Sequence, residues 1–323
     1  MRKLTFVAVA LFVAVATLPA EQSGDSYSPK RVNKVIELFA AGQPAYYAQV
    51  NEGGYEEGKR LAQTWADYIT YNMEHSPFDM QELRGFMQGL VDGGPTKSGH
   101  RTPTVVAVLP IGGINEQVMW ANYWMVEQVL GSGVHGVLLA HARGPDVSRI
   151  LVEASRYPHA PKADGVGEGL RGNGGQGFAA RIWGVSNDEY QQLADTWPLN
   201  PNGEILVGLK IEDRHALETA EASVGVPGIG FAEWGPGDMG MSHGDPDLHD
   251  PPYTPEMDNA REIVKDACKA SGLAFLCSWQ DPNLTVEERT RHALFEEGAR
   301  ILHVPDKEIA ATIRKEMGRE MPW

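Results

Sequence analysis

The sequence predicts an α/β chain closed into a single (β/α)₈ TIM barrel, and three observations lead there. Short β-rich runs alternate with amphipathic helical stretches along the whole chain, the pattern of a parallel sheet wrapped by helices. Eight such runs fall within 323 residues, which suits a closed barrel better than an open doubly wound sheet. The first candidate βα turn, Asn51-Glu52-Gly53-Gly54, lacks the glycine spacing of a dinucleotide fingerprint and so disfavours a Rossmann arrangement.

The elements follow in order. Strands are expected at Ala45–Val50, Tyr68–Met73, Thr104–Leu109, Val137–Ala140, Ile205–Ile211, Ile229–Trp234, Leu273–Ser278 and Ile301–Val304, each a short apolar run rich in β-branched or aromatic residues. Between them, helical periodicity marks Tyr55–Thr64, Met80–Leu90, Asn115–Leu130, Val147–Arg156, His215–Ala222 and Val286–Glu297. Tyr157–Asp188 and Gly235–Thr254 are rich in glycine and polar residues and read as long loops. In a barrel, loops that follow strands build the active-site face.

The composition, 42% hydrophobic and 22% charged, is that of a chain able to bury a large core. A formal charge of −15 with no compensating basic run argues against nucleic acid or an anionic membrane as partner. Residues 1–20 read as a cleaved signal peptide: Arg2 and Lys3, then an apolar stretch from Leu4 to Val13, then Ala14-Val15-Ala16. That stretch is shorter than the roughly 20 residues of a spanning helix, so a secreted or periplasmic protein is expected, with no membrane anchor. A flexible lead-in over 21–31 and a barrel over 32–323 complete the division. Cys268 and Cys277, too few for a disulfide scaffold, are either a single bridge or two small buried side chains.

Two carboxylates stand out. Glu212 ends the run Ile205–Ile211, and Asp238 lies just beyond Trp234 in Gly235-Pro236-Gly237-Asp238. If the two runs are neighbouring parallel strands, both acids emerge on one rim, where they either hold a hard divalent cation or cap the helices that follow. His75 closes the second strand, in reach of proton transfer near neutral pH or as an ordinary loop histidine. Trp183 and Trp234 fall on or beside rim segments, either stacking on an aromatic or sugar-like substrate or packing under a loop. His141, Arg143, His243 and His249 also lie on predicted rim segments.

Five motifs in order, Glu74-His75-Ser76-Pro77-Phe78-Asp79, Arg156-Tyr157-Pro158, Gly169-Leu170-Arg171-Gly172, Lys210-Ile211-Glu212 and Gly235-Pro236-Gly237-Asp238, resemble the HpcH/HpaI-type class II pyruvate aldolases and their citrate lyase β relatives. The resemblance runs from about Val32 to the C-terminus. It implies a barrel with Glu212 and Asp238 as metal ligands for Mg²⁺ or Mn²⁺, with Co²⁺ or Zn²⁺ as further options. It also implies His75 in proton transfer, Arg171 on a carboxylate or oxyanion, and Glu74 and the amides around Gly237 beside the substrate. The implied reaction is aldol cleavage or condensation of a hydroxy-2-oxo acid, with a 2-oxo acid and an aldehyde as small-molecule partners. A homo-oligomer, trimer or hexamer, is implied as well.

This chain departs from the family pattern at four places, one of them Gly131, which falls near the position of an acid that pairs with the catalytic histidine. Asn72 stands where an aspartate is usual, Leu109 where an arginine polarises the carbonyl, and Lys210 where a glutamine is common. Lys210 is the candidate for the missing positive charge. The departures leave open a sibling lyase reaction such as decarboxylation, a bulky or aromatic substrate, or a metal-binding barrel without catalysis.

Overall fold

Eight parallel strands close on themselves in the computed structural model, which describes residues 27–323. The expected signal peptide and most of the lead-in lie outside those residues. The strands are β1 (Ala45–Val50), β2 (Tyr68–Asn72), β3 (Thr104–Gly112), β4 (Gly136–Ala140), β6 (Ile205–Ile211), β7 (Phe231–Trp234), β8 (Ala274–Cys277) and β9 (Ile301–His303). A two-residue strand β5 (Thr196–Trp197) adds to the flank of β6. Neighbours run β4-β3-β2-β1-β9-β8-β7-β6, and pairing of β4 with β6 closes the ring.

Strand alternation sorts the side chains into two cores. Tyr68, Val106, Leu138, Leu206, Phe231, Ala274 and Ile301 fill the barrel interior. Gly208 makes room for this layer, since a Cβ there would stand 2.2 Å from the Phe231 ring. The floor is a helix absent from the sequence reading, α1 (Lys34–Ala40), whose Val35, Ile36, Leu38 and Phe39 belong to the same cluster. Residues of opposite parity, such as Ile69, Leu109, Leu209 and Trp234, pack outward against the helical layer.

That layer contains α2 (Tyr55–Leu61), α3 (Met80–Gly93), α4 (Glu116–Leu130) and α5 (Pro145–Ser155), all near the expected positions. The two long segments are not structureless. The first holds α6 (Gln176–Trp183) and runs into α7 (Asn187–Leu193), and the second holds α10 (Pro236–Ser242). The expected helix at His215–Ala222 is split into α8 (Arg214–Leu217) and α9 (Ala220–Val224). After α11 (Pro255–Ala270), α12 (Val286–Arg291) continues as a π turn over His292–Glu296, and α13 (Lys307–Glu316) follows β9.

The bottom of the barrel is tied by charge. Asp67, fully buried just before β2, lies 3.3 Å from Lys34 Nζ and 3.1 Å from Arg314 Nη2, and accepts from Arg319 Nη1 at 2.8 Å. The lead-in is anchored here rather than flexible to residue 31. Tyr27 donates to Glu37, and Arg31 donates to the carbonyls of Pro201 and Gly203 at 2.9 and 2.6 Å. Both cysteines are free and buried, so the single-bridge option falls. Among the described residues no helix is long and apolar enough to cross a membrane.

Candidate active site and metal centre

The C-terminal rim gathers three acids, Glu74, Glu212 and Glu233, around one lysine. Lys210 points into the barrel from the end of β6, in register with Glu233 on β7. Its Nζ lies 2.7 Å from both Glu74 Oε2, just beyond β2, and Glu212 Oε2, just beyond β6. Burial opposes the charge on Lys210, but Glu233, Glu212 and Glu74 outweigh it and hold the ammonium above its ordinary range. Burial pushes Glu212 up to about 7 against the pull of Lys210, and it likewise raises Glu233. Gly235 allows the close approach of β7 to this acid: a Cβ there would stand 3.0 Å from Glu212 Oε2.

His141 closes the other side. It follows β4 with φ of 50°, the only non-glycine residue at positive φ among the described residues. Its backbone N–H donates to Glu212 Oε1 at 3.1 Å, and its Nδ1 lies 2.9 Å from Asp213 Oδ2. Arg143 Nε donates to that same Asp213 oxygen at 3.0 Å, and Asp213 Oδ1 caps α8 by accepting from His215 and Ala216. Against the effect of burial, these bonds hold the Asp213 carboxyl well below the usual range. The bond to Asp213 raises the His141 imidazole.

Donor atoms of Glu74, His141, Glu212 and Asp238 all lie within 4.8 Å of one another. Three carboxylates and an imidazole at that spacing fit a divalent cation. Lys210 occupies one oxygen of Glu212 and one of Glu74, yet a carboxylate offers about four acceptor sites, so Glu212 retains capacity through Oε1. The predicted ligands Glu212 and Asp238 are thus brought together, with Asp238 supplied by the first turn of α10.

The other expected residues divide. Glu74 is in the cluster, and His75 sits at its mouth, its side chain 63% exposed and Nε2 at 3.5 Å from Glu74 Oε2. Gly237 lies in the first turn of α10 with open space above it. Trp234 is not at the site: one residue from Glu233, it has the opposite parity and is fully buried on the outer side, edge-on to Tyr253. Trp183 is likewise buried, its indole donating to Gly133 O at 2.9 Å. Arg171 is buried in the outer layer, donating to Tyr190 Oη at 3.0 Å and stacking over Tyr157, with none of its contacts to the cluster. A direct substrate role for Arg171 or Trp234 within this chain's own site is therefore set aside.

The departures also acquire reasons. Asn72 Oδ1 accepts the backbone N–H groups of Glu74 and His75 at 3.0 and 3.1 Å, so an amide oxygen shapes this loop. Leu109 faces the outer core and Val108 the cavity, next to an irregular stretch of pairing between Val108 and Gly112. Sequence reasoning passed over Glu233 and Asp213 and named His141 only as one of several residues on rim segments. The signals were there: an acid at an inward position of a buried strand, and a second acid directly after Glu212.

Two cavities open beside the cluster. One, of about 210 Å³, is lined by Thr70, Asn72, Glu74, His75, Lys210 and Glu233. The other, of about 510 Å³, shares Tyr47 and Gln49 with it and extends past Trp279 and Arg289.

No family model matches the chain. By sequence it is similar to the hydroxypyruvate/pyruvate aldolase of Paraburkholderia phytofirmans, 25% identical over 201 residues that cover 62% of this chain and 66% of that one. It is also similar to the 4-hydroxy-2-oxo-heptane-1,7-dioate aldolase of Klebsiella pneumoniae, 27% identical over 243 residues, 75% of this chain and 79% of that one. The match to the first of these spans just under two thirds of the relative's length. By fold it is similar to an HpcH/HpaI aldolase/citrate lyase family protein from Burkholderia cenocepacia, with a TM-score of 0.64 and 19% identity over 88% of this chain and 97% of that one. These sequence relatives and structural neighbours bear out the resemblance to the HpcH/HpaI-type aldolases and citrate lyase β proteins, and with it the (β/α)₈ barrel.

Proposed function

We propose that the protein is a divalent-metal-dependent carbon–carbon lyase that cleaves or forms hydroxy-2-oxo acids through a pyruvate-type enolate. The observation that carries this reading is the four-donor cluster at the barrel's C-terminal rim, with the Lys210 ammonium set among its acids. A divalent ion held by Glu212 and Asp238 would supply Lewis-acid stabilisation of the charge that develops on the keto oxygen. Lys210 adds a fixed positive charge at the same rim, where the arginine expected on β3 is replaced by an outward leucine. His75, exposed at the mouth of the cluster beside Glu74, would exchange a proton between substrate and water.

The larger cavity favours a second reading of the substrate, a bulky aldehyde partner rather than a short one, because it adjoins the reacting pocket through Tyr47 and Gln49. Export by the N-terminal segment and assembly into a trimer or hexamer belong to the same proposal, and light scattering on the mature chain reads the second.

The deciding experiment is exchange of the C3 protons of pyruvate with solvent deuterium, with added Mn²⁺ or Mg²⁺ and with chelator. Metal-dependent exchange that disappears in Glu212→Ala supports enolate chemistry. Its absence with every metal would leave a binding barrel without catalysis.

A further inference from the structure

We propose that His141 is itself a metal ligand, the nitrogen donor of a mixed site with Glu212 and Asp238, and that it turns the site toward a transition ion such as Mn²⁺, Co²⁺ or Zn²⁺ rather than Mg²⁺. The inference rests on the metal reading above and specifies its ligand set.

Three observations meet on this residue. A ring nitrogen of His141 is one of the four donors within 4.8 Å of each other. Its Nδ1 is held by Asp213 at 2.9 Å, and Asp213 is in turn held by Arg143 and the α8 amides. A carboxylate that accepts a hydrogen bond from Nδ1–H fixes the tautomer whose lone pair lies on Nε2, which is the outer-shell arrangement that orients metal-binding histidines. Finally, the backbone is fixed in an uncommon conformation by the bond from its own N–H to the ligand Glu212.

Lys210 supplies the reason a nitrogen is needed. Its ammonium takes Oε2 of both Glu74 and Glu212 at 2.7 Å and repels a cation placed between them. An all-oxygen site held by charge alone is weakened by that neighbour. A neutral imidazole is not drawn into the lysine's ion pairs, and nitrogen suits the borderline ions better than Mg²⁺.

The test is pulsed electron paramagnetic resonance on the metal-stripped protein reloaded with Mn²⁺, together with calorimetric titration of Mg²⁺ and Co²⁺. The wild-type spectrum should carry an imidazole nitrogen coupling that changes on ¹⁵N-histidine labelling and disappears in His141→Gln. That variant should lose about 10- to 100-fold in Co²⁺ affinity and much less for Mg²⁺. Mn²⁺ that binds in the wild type, is released in Glu212→Ala and shows no nitrogen coupling overturns this inference while leaving the metal reading intact. No saturable binding of any of these ions overturns both. Because the decisive spectrum is that of the wild type, a variant that fails to fold does not spare the proposal.

Discussion

Lys210 sets the terms at the scale of single residues. If Lys210 stands in for the family's arginine as proposed, replacing it by alanine should lower proton exchange on pyruvate by about 10²- to 10³-fold. The same change removes a cation from beside the ligands, so Mg²⁺ should bind more tightly. Slower exchange with tighter Mg²⁺ is the expected signature, and wild-type turnover in Lys210→Ala would remove the lysine from the chemistry. Neighbouring residues show how much of the site was legible. Glu212 and Asp238 were found because strand ends in a barrel converge on one rim, a rule of topology. Glu233 was passed over and Trp234 was carried as a candidate for the substrate, since the sequence does not say which parity of a four-residue buried strand faces in. Register against Lys210 decides it, and register is a property of the closed sheet.

At the scale of elements, the turn from β2 into α3 depends on Asn72. Its Oδ1 collects two backbone N–H groups, so Asn72→Ala should cost about 1–3 kcal/mol and loosen Glu74 and His75, whereas Asn72→Asp should retain both bonds. Comparing urea midpoints and exchange rates of the two variants checks this; equal losses in both would show that the acceptor is not what matters. Strands were legible to within about three residues at each end because each is a short apolar run closed off by polar or glycine-rich segments. Helices were less so. α11 has Met257, Ala260, Val264 and Ala267 at helical spacing behind a Thr254 cap, but its charged residues dominate the segment, and it went unassigned. α10 was masked by its glycines, and α1 by its brevity, although the Asn33 cap marks its start.

At the scale of the whole molecule, stability gathers at the bottom of the barrel. Asp67→Ala would leave Lys34, Arg314 and Arg319 buried without their common carboxylate, and a loss of about 3–5 kcal/mol is expected in chemical denaturation. His135 makes the fold sensitive to acid. Its Nδ1 accepts the Val105 N–H at 3.1 Å, its ring stacks on Trp183, and burial pushes it down to about 3. The unfolded chain takes up this proton near pH 6.5 and the native chain does not until about 3, so stability falls as pH drops through that window. From pH 7 to pH 5 this one residue should remove about 2 kcal/mol, and His135→Asn should flatten that part of the profile. A wild-type denaturation midpoint unchanged across the interval would contradict the assignment.

Asp67 also has a consequence for how the chain is made. Its partners come from opposite ends of the sequence, Lys34 before it and Arg314 and Arg319 well over two hundred residues after it. β1 likewise waits for β9 before both its edges are paired. A chain emerging from the ribosome N-terminus first therefore carries an unfinished ion cluster and an open sheet edge until β9, Arg314 and Arg319 have been made, so closure waits for that segment. A protein built this way stays unlocked for as long as any of its C-terminal segment is still to come, which is the state a polypeptide must keep if it is to be threaded through a narrow channel before folding.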